Sequence, residues 1–175
     1  MGHFVIPGFA LQRESLIDAK PVLLIEDDKP EAFEFHTGLK ASEVGFVTNN
    51  MAGAGCSPDS LIPAHDPTFA LENNHTIAPS YFQAGLEIKC VKPCTQVGYL
   101  LGNKLPDYYK PQVHWSMAVT GIRKWWFLSY HPDLNPLCIE VEWSDYTSAV
   151  ESAISLFTIN FNSTYQEFKA ITEAA

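Results

Sequence analysis

The sequence predicts a single mixed domain of the α/β or α+β class, and three observations favour this. The length of 175 residues fits one domain, since domains typically run to about 100–150 residues or somewhat longer. Hydrophobic residues make up 46%, which is enough for a sizeable core, whereas charged residues make up only 18%. Helical and strand-like patterns alternate along the chain in the order helix, two strands, helix, two strands and helix.

The first half of the chain carries the weaker patterns. Residues 26–36 favour a helix, because Pro30 is tolerated in a first turn and Gly38 is a typical stop. Residues 43–48 suggest a strand. Residues 51–59 are small and Gly-rich, which indicates that the backbone there is tight or closely approached.

Residues 60–84 are predicted to form a long loop that leaves room for short pieces of strand. The segment contains Pro63, Pro67, Pro79 and the pair Asn73-Asn74, all of which interrupt regular structure. Loops of this length inside a compact domain are often functional.

The second half of the chain gives clearer patterns. Residues 85–91 alternate as in a strand, and residues 112–120 form a helix that begins after a proline and stops at a glycine. Residues 124–130 and 137–143 are predicted strands, the first of them rich in aromatic side chains. Residues 146–174 form either one long amphipathic helix or two shorter ones. The core positions expected there, at helical spacing, are Val150, Ile154, Phe157 and Phe161.

The net charge of −9 argues at first against a polyanionic partner, but the charge is unevenly distributed. Residues 88–124 carry six bases and one acid, whereas the segments on both sides are acidic. Because a polyanion responds to the local field, this segment is a candidate phosphate-contacting face, with solvated surface side chains as the simpler alternative. Its bases are Lys89, Lys92, Lys104, Lys110, Arg123 and Lys124.

The N-terminus and the cysteines predict a cytoplasmic protein with reduced thiols. Residues 1–10 have no positive region before their apolar stretch, as a secretory signal would, and no run reaches the roughly 18–20 apolar residues of a membrane span. The four cysteines are therefore expected to be free. Cys90 and Cys94 form a loose pair without a second pair at zinc spacing, so a small zinc protein remains a third alternative.

The motif that carries chemistry is Pro58-Asp59 followed by Glu87-Ile88-Lys89. Glu-x-Lys on a strand places a carboxylate and an ammonium on one face, about 7 Å apart. An aspartate from a neighbouring turn supplies a second carboxylate, and two carboxylates with a backbone carbonyl suit Mg²⁺. Such an ion stabilises charge on a phosphate and lowers the pKa of a bound water. Taken alone, the same residues also fit an ordinary ion pair on an exposed strand face.

Several blocks around this motif resemble the YqaJ-type viral recombinase family, the family of phage lambda exonuclease, over roughly residues 26–170. The similar blocks occur in the same order as in that family. They are Glu26-x-Asp28, Phe33-Glu-Phe35-x2-Gly38, Cys56-Ser-Pro-Asp59, Gly85-Leu-Glu-Ile-Lys-Cys90, Tyr109-x2-Gln-Val-x2-Ser-Met-x-Val-Thr120 and Trp126-Phe-x2-Tyr-x-Pro132.

The resemblance implies a restriction-endonuclease-like core, with a central mixed β-sheet flanked by helices and a PD-(D/E)xK nuclease site. The residues that match the family's catalytic positions are Asp59, Glu87, Lys89 and Gln112. The implied metal ligands are Asp59, Glu87 and the backbone carbonyl of Ile88, with Glu26 as a further acid facing the site. The implied ion is Mg²⁺, for which Mn²⁺ can substitute.

The resemblance also implies a function: a 5′–3′ exonuclease on double-stranded DNA that acts in phage-type recombination. The implied partners are a single-strand annealing recombinase and further copies of the chain, a trimer in the family, in a bacterial or phage-infected cell. Ser57 and Tyr109 match positions near the site, and five bases flank it in sequence and are able to reach phosphates without reading bases. The residues expected to contact DNA are therefore Ser57, Lys92, Lys104, Tyr109, Lys110, Arg123 and Lys124.

The chain also departs from the family pattern. We expect one nuclease domain over residues 1–175, in which residues 1–25 match the family poorly and residues 60–84 are a loop insertion. That loop contacts DNA, contacts a neighbouring subunit or is a tolerated excursion. The alternative function is a catalytically impaired nuclease-fold module that binds DNA or a recombination partner.

Overall fold

The computed structural model describes residues 29–48, 54–64 and 79–173. Within these ranges the chain forms four helices and six strands, with a short 3-10 turn at Pro79–Tyr81. The elements are α1 (Lys29–Thr37), β1 (Val47–Thr48), β2 (Gly55–Cys56), β3 (Ser60–Pro63), β4 (Phe82–Cys90), α2 (Pro93–Gly102), α3 (Lys110–Thr120), β5 (Lys124–His131), β6 (Leu134–Glu142) and α4 (Asp145–Glu173). None of these helices combines the length and the apolar character needed to cross a membrane.

A mixed four-stranded sheet in the order β3-β4-β5-β6 forms the centre of the protein. Strands β4 and β5 are parallel, and the other two neighbouring pairs are antiparallel. Helices pack on both faces of this sheet, which confirms the predicted α/β fold with a central mixed sheet.

The alternation predicted for β4 sorts its side chains onto the two faces of the sheet. Leu86 and Ile88 point toward α1 and pack in one core cluster with Ala32 and Phe33. The opposite face packs against α3, and its buried residues are Leu61, Val113, Met117, Ile122, Trp125, Phe127 and Val141. Glu87, which alternates with Leu86 and Ile88, therefore lies on the face covered by α3.

The predicted loop over residues 60–84 is shorter in the structure, which contains one of the short strands that the prediction left room for. Residues 60–63 form β3, and β4 already begins at Phe82. The two strands pair antiparallel from Ser60 opposite Leu86 to Pro63 opposite Phe82. The apolar pair Leu61-Ile62 is buried, and this outweighs the turn-forming residues around it. The intervening residues 65–78 lie outside the described residues.

Two early predictions hold in part. The helix predicted over residues 26–36 appears as α1, with Pro30 in its first turn and Gly38 at a φ of 74° after its end, and residues 26–28 lie outside the described ranges. The strand predicted over residues 43–48 is reduced to β1, because its partner β2 offers only two residues for pairing. A close approach to the backbone is found at Gly55, where a Cβ would overlap the Phe46 ring.

Helix α2 was not expected from the sequence, although Pro93 at its first position was an available signal. Its only buried side chain is the polar Gln96. The Gln96 amide donates to the carbonyls of Ser129 at 3.1 Å and Asn135 at 2.8 Å, and it accepts from the Ser129 hydroxyl at 2.5 Å. A satisfied polar contact thus fixes α2 to the β5–β6 hairpin.

Helix α4 is one long helix, and its expected core is wrong in the second half. Ile154 is buried and Val150 packs against the core, but Phe157 is 63% exposed and Phe161 is 54% exposed. A helix of 29 residues is about 44 Å long, whereas its packing partner α3 has 11 residues and covers about 16 Å. The distal aromatic rings therefore stack along the helix itself, with centroids 6.0 Å apart for Phe157–Phe161 and 6.1 Å for Phe161–Tyr165.

We predict that Gly85→Ala destabilises the protein by about 1–3 kcal/mol, the usual cost of an added methyl group in a filled core. A Cβ at Gly85 would overlap the Trp125 ring, which is fully buried and has no free space to move into. Urea unfolding measures the effect as a lower midpoint at an unchanged slope.

Gly98→Ala is the matched control. Gly98 is exposed on α2, with nothing within 4 Å of an added Cβ, so the same change should stabilise by about 0.8–1 kcal/mol through helix propensity. Equal midpoints for the Gly85→Ala variant and the parent would contradict the close approach of Trp125 to the β4 backbone.

Candidate active site

Strand pairing brings the two halves of the sequence motif together. The antiparallel register places Ser60 opposite Leu86, and its extension by one residue places Asp59 opposite Glu87. The Asp59 carboxylate accepts a hydrogen bond from the backbone N–H of Ile88 at 2.6 Å. The 28 positions between Asp59 and Glu87 in sequence are thus bridged by a single strand contact.

This register also places Pro63 and Phe82, between which the long connection runs in sequence, away from the motif. The β3–β4 pairing ends at Pro63 opposite Phe82, whereas Asp59 and Glu87 lie at its other end. Four to five strand residues separate the two ends, which corresponds to about 13–17 Å. The connection therefore leaves the sheet from the end opposite the carboxylates.

Glu87 is the centre of the site. Its side chain is only 2% exposed. Oε1 accepts hydrogen bonds from the Lys89 ammonium and from the Gln112 amide, the latter at 2.5 Å. Oε2 is buried and has no partner among the described residues. A buried carboxylate oxygen is normally satisfied, so Oε2 is a free ligand position for a cation.

Burial raises the pKa of the Glu87 carboxyl above its ordinary value of 4.5. The hydrogen bonds and charge of Lys89 and the hydrogen bond from Gln112 act in the opposite direction, whereas the nearby charge of Asp59 raises the pKa further. Burial outweighs the partners, so the ionised Glu87 carries an electrostatic cost in the metal-free protein. A divalent cation between Asp59 and Glu87 would remove this cost.

Lys89 and Gln112 approach Glu87 from different elements. Lys89 lies two residues further along β4 on the same face, as the alternation predicts, and its side chain is partly exposed. Gln112 lies in the first turn of α3. The ring of Tyr109, just before α3, lies 5.5 Å from the Lys89 ammonium and 5.2 Å from the Phe127 ring. The aromatic ring thus supports the lysine by a cation–π contact.

The residues present fit a hard divalent cation. Two carboxylates, one directly before β3 and one on the adjacent strand β4, are donors of the type that Mg²⁺ prefers, and the second has an unpartnered oxygen. Within the described residues no group of three His, Cys, Asp or Glu side chains gathers around a point. The third acid expected from the sequence, Glu26, lies outside the described ranges.

Cys56 lies close to Glu87, although no role was predicted for it beyond its place in a motif. Its thiol is buried, and burial raises its pKa to about 11, with a hydrogen bond from Ser116 opposing the shift and the charge of Glu87 adding to it. The thiol therefore stays protonated at neutral pH and acts as packing rather than as a ligand or nucleophile. Ser57, the next residue, is exposed two positions before Asp59.

Cys90 and Cys94 offer no zinc centre in the part of the chain that the structure describes. Both are free and exposed, at the end of β4 and in the first turn of α2. A structural zinc site needs four ligands, and no third His, Cys, Asp or Glu joins this pair among the described residues.

The predicted DNA-contacting bases fall into two groups. Lys92 directly precedes α2, three positions after Lys89, and Lys110 is the first residue of α3, with its ammonium 4.6 Å from the Tyr146 ring centroid. Lys104 lies between these helices and is 3.7 Å from Asp107. These three bases lie at the start of α2, in the connection between α2 and α3, and at the start of α3.

Arg123 and Lys124 form the second group, away from Lys89. Trp125 pairs with Gly85 and Ser129 with Lys89, so Lys124 lies five strand positions, or about 16 Å, before the level of Lys89. Lys124 is 3.0 Å from Glu140 and 4.0 Å from Glu142, and Arg123 stacks on Trp143 at 4.0 Å. The structure does not bring this pair to the carboxylates.

Comparison with known proteins places these residues in a wider context. The model of the YqaJ-like viral recombinase domain matches residues 24–123, which include Asp59, the Glu87-Ile88-Lys89 motif and Gln112. This match confirms the resemblance seen in the sequence. A search of curated proteins gave no match.

Two solved structures share the fold. The crystal structure of an alkaline exonuclease (LHK-Exo) from Laribacter hongkongensis has a TM-score of 0.63 and 23% identity, covering 94% of this chain and 74% of that one. The structure of LHK-Exo in complex with dAMP has a TM-score of 0.62 and 24% identity over the same shares. The core of this chain is therefore a nuclease fold.

We predict that Glu87→Gln stabilises the metal-free protein at pH 7 by about 0.5–2 kcal/mol, the usual gain when one unfavourable functional group is removed. The amide keeps the shape and one acceptor but not the buried charge. The pKa of Glu87 is raised in the folded protein, so the parent loses stability as the pH rises from 4.5 through that raised pKa. Below pH 4.5 this loss is absent, and the difference in stability between variant and parent shrinks. Urea unfolding in EDTA over pH 4–8 measures this difference.

Glu151→Gln is the control, because Glu151 is exposed on α4 and the same substitution there removes no buried charge. A Glu87→Gln variant that is less stable than the parent at pH 7 in EDTA would show that Lys89 and Gln112 outweigh the cost of burial.

Proposed function

The chain belongs to the YqaJ-like viral recombinase domain family, and from this membership and its site we propose that it is a metal-dependent deoxyribonuclease acting on double-stranded DNA. The observation that carries the proposal is the buried Glu87 carboxylate with one oxygen bonded to Lys89 and Gln112 and the other unpartnered beside Asp59. A buried carboxylate oxygen normally has a hydrogen-bond partner, so the unpartnered Oε2 favours a cation as its missing partner.

Asp59 and Glu87, together with the carbonyl of Ile88, would hold Mg²⁺, or Mn²⁺ in its place. The bound ion would lower the pKa of a water and offset negative charge on the phosphate. Each carboxylate is already held in the metal-free protein, Asp59 by the Ile88 N–H and Glu87 by Lys89 and Gln112. This preorganisation reduces the reorganisation that cation binding requires.

Hydrolysis joins a water oxygen to phosphorus and breaks one phosphorus–oxygen ester bond, and the departing oxygen takes up a proton. Lys89 is the group positioned to orient the water and to offset the charge that develops on the phosphate oxygens. Its side chain is partly exposed, which supports access to a phosphate, and its ammonium lies 5.5 Å from the centroid of the Tyr109 ring. Gln112 acts as a positioning residue, because its amide contacts Glu87.

We further propose that digestion proceeds 5′ to 3′ and leaves a single strand for an annealing recombinase. The direction is the one implied by the resemblance to the family of phage lambda exonuclease, whereas membership in a viral recombinase family and the fold shared with an alkaline exonuclease support exonuclease action in recombination. The dAMP complex of LHK-Exo supports a nucleoside monophosphate as the product. Assembly as a trimer and action in the cytoplasm of a bacterial or phage-infected cell belong to the same proposal.

We predict that the purified protein digests linear duplex DNA in Mg²⁺ or Mn²⁺ and that Lys89→Ala lowers the initial rate at least about 100-fold, as expected for loss of one preorganised electrostatic group. Initial rates are measured by release of acid-soluble nucleotides from substrates with and without a 5′-phosphate. Lys169→Ala, at an exposed lysine near the end of α4, is the matched control and should match the parent.

Two outcomes would contradict the proposal. Absence of digestion with either metal, together with retained binding to DNA, would instead support a catalytically impaired nuclease-fold module. Equal digestion by the parent and by Lys89→Ala would place the chemistry elsewhere in the chain.

Labelling the 5′ and 3′ ends of the DNA separately tests the proposed direction of digestion.

A further inference from the structure

The aromatic cluster beside Lys89 includes one ring that the core does not use. Tyr109 packs on Phe127 at 5.2 Å and edge-on against Tyr99 at 6.4 Å. Tyr108 meets the Tyr109 ring at 5.1 Å with the two planes 85° apart. Its side chain is nevertheless 85% exposed, the largest value for any aromatic residue that the structure describes.

Single exposed apolar residues are normal on protein surfaces, so exposure alone assigns nothing to Tyr108. The observation that assigns a role to Tyr108 is its position relative to Lys89, the proposed catalytic lysine. The Lys89 ammonium lies 5.5 Å from the Tyr109 centroid, and the Tyr108 centroid lies 5.1 Å beyond it. The Tyr108 ring is thus at most about 11 Å from the Lys89 ammonium, a span of about three stacked bases at 3.4 Å per step.

The contact that supports Tyr108 also restricts it. An edge-to-face pair fixes the relative orientation of the two rings, and Tyr109 is itself held between Phe127 and Tyr99. The two rings meet edge to face, and the Tyr108 side chain is still 85% exposed, so most of its ring is open to solvent. An aromatic ring with a solvent-exposed surface is the element that proteins use to stack unpaired bases without reading their sequence.

The charges around this ring suit a nucleic-acid strand. Lys104 and Lys110 lie on either side of Tyr108 in sequence, and both are exposed. Asp107 lies 3.7 Å from Lys104, but an exposed pair of this kind is weak and yields readily to a phosphate. The segment 104–110 therefore combines two bases with an exposed ring at the edge of the site.

We propose that Tyr108 is a stacking platform for an unpaired nucleobase of the DNA strand being cut, within about three nucleotides of the scissile phosphate. The proposal rests on the proposed nuclease function and extends it, because it assigns a subsite for a base rather than for the phosphate. The subsite accepts any base, since every base offers a flat π-face.

The test compares Tyr108→Ala, Tyr108→Phe and Tyr108→Trp with the parent on linear duplex DNA in Mg²⁺. Loss of a stacked base should raise KM about 5- to 150-fold in the alanine variant, with a smaller change in kcat. Phenylalanine and tryptophan should restore KM to within about threefold, because stacking needs the ring and not the hydroxyl. Tyr165→Ala, at an exposed tyrosine on the distal part of α4, should leave KM unchanged.

A modified substrate tests the same contact from the side of the DNA. The modified duplexes carry abasic sites in the three nucleotides nearest the cleaved bond. On them the KM of the parent should rise to the value that Tyr108→Ala shows on intact DNA. The KM of Tyr108→Ala should change little between the two substrates. Fluorescence anisotropy with a single-stranded oligothymidylate in Ca²⁺ measures the Kd of the parent and of each Tyr108 variant, independent of turnover. Urea midpoints equal to that of the parent show that each variant is folded.

Three results would overturn the proposal: a KM and Kd of Tyr108→Ala within twofold of the parent, failure of Tyr108→Phe to restore them, or an unchanged effect of Tyr108→Ala on the abasic substrate. The proposed nuclease function fails by a different result, namely a parent protein that does not digest DNA. In that case the anisotropy comparison still decides whether Tyr108 binds bases.

Discussion

The buried carboxylate of Glu87 is the constraint on which the rest of the structure depends. Placing a charge at the centre of a sheet face is unfavourable unless other groups compensate for it. Lys89 and Gln112 both donate to Oε1, yet burial still raises the pKa of the carboxyl, and Oε2 is left without a described partner. This incomplete compensation is costly for a metal-free fold and favourable for one that binds a cation. We regard the site as an example of stability exchanged for function.

The topology explains why these groups meet. The antiparallel β3–β4 pair delivers Asp59 opposite Glu87, and the long connection between them leaves from the other end of the pair. The parallel pairing of β4 with β5 requires a crossover, and that crossover contains α3, which lays Gln112 and Tyr109 over the face that carries Glu87 and Lys89. A close approach of Trp125 to Gly85 packs the same strand two residues before Glu87. The site is thus built from neighbouring strands and one covering helix, all of them core elements.

Local patterns predicted the elements that present the site but not their relative positions. Alternation along β4 places Glu87 and Lys89 on one face, and the proline–glycine frame predicts α3. Helix α2 escaped prediction because its buried residue is a polar glutamine satisfied by distant carbonyls. Phe157 and Phe161 follow a core pattern but extend beyond the partner helix, and Arg123 and Lys124 are separated from Lys89 by a parallel register that local sequence does not encode. The missed helix, the exposed aromatic residues and the spatial separation of this basic pair from Lys89 all depend on long-range pairing rather than on local propensity.

The central claim, that Asp59 and Glu87 share a divalent cation, is tested most directly by anomalous diffraction from crystals soaked in Mn²⁺. The account predicts an anomalous peak within bonding distance of an Asp59 carboxylate oxygen and of Glu87 Oε2, about 2.0–2.3 Å from each. The same soak of Glu87→Gln crystals should show a much weaker peak or none at this position. A parent crystal with no peak there, while Mn²⁺-dependent digestion of DNA persists in solution, would contradict the account.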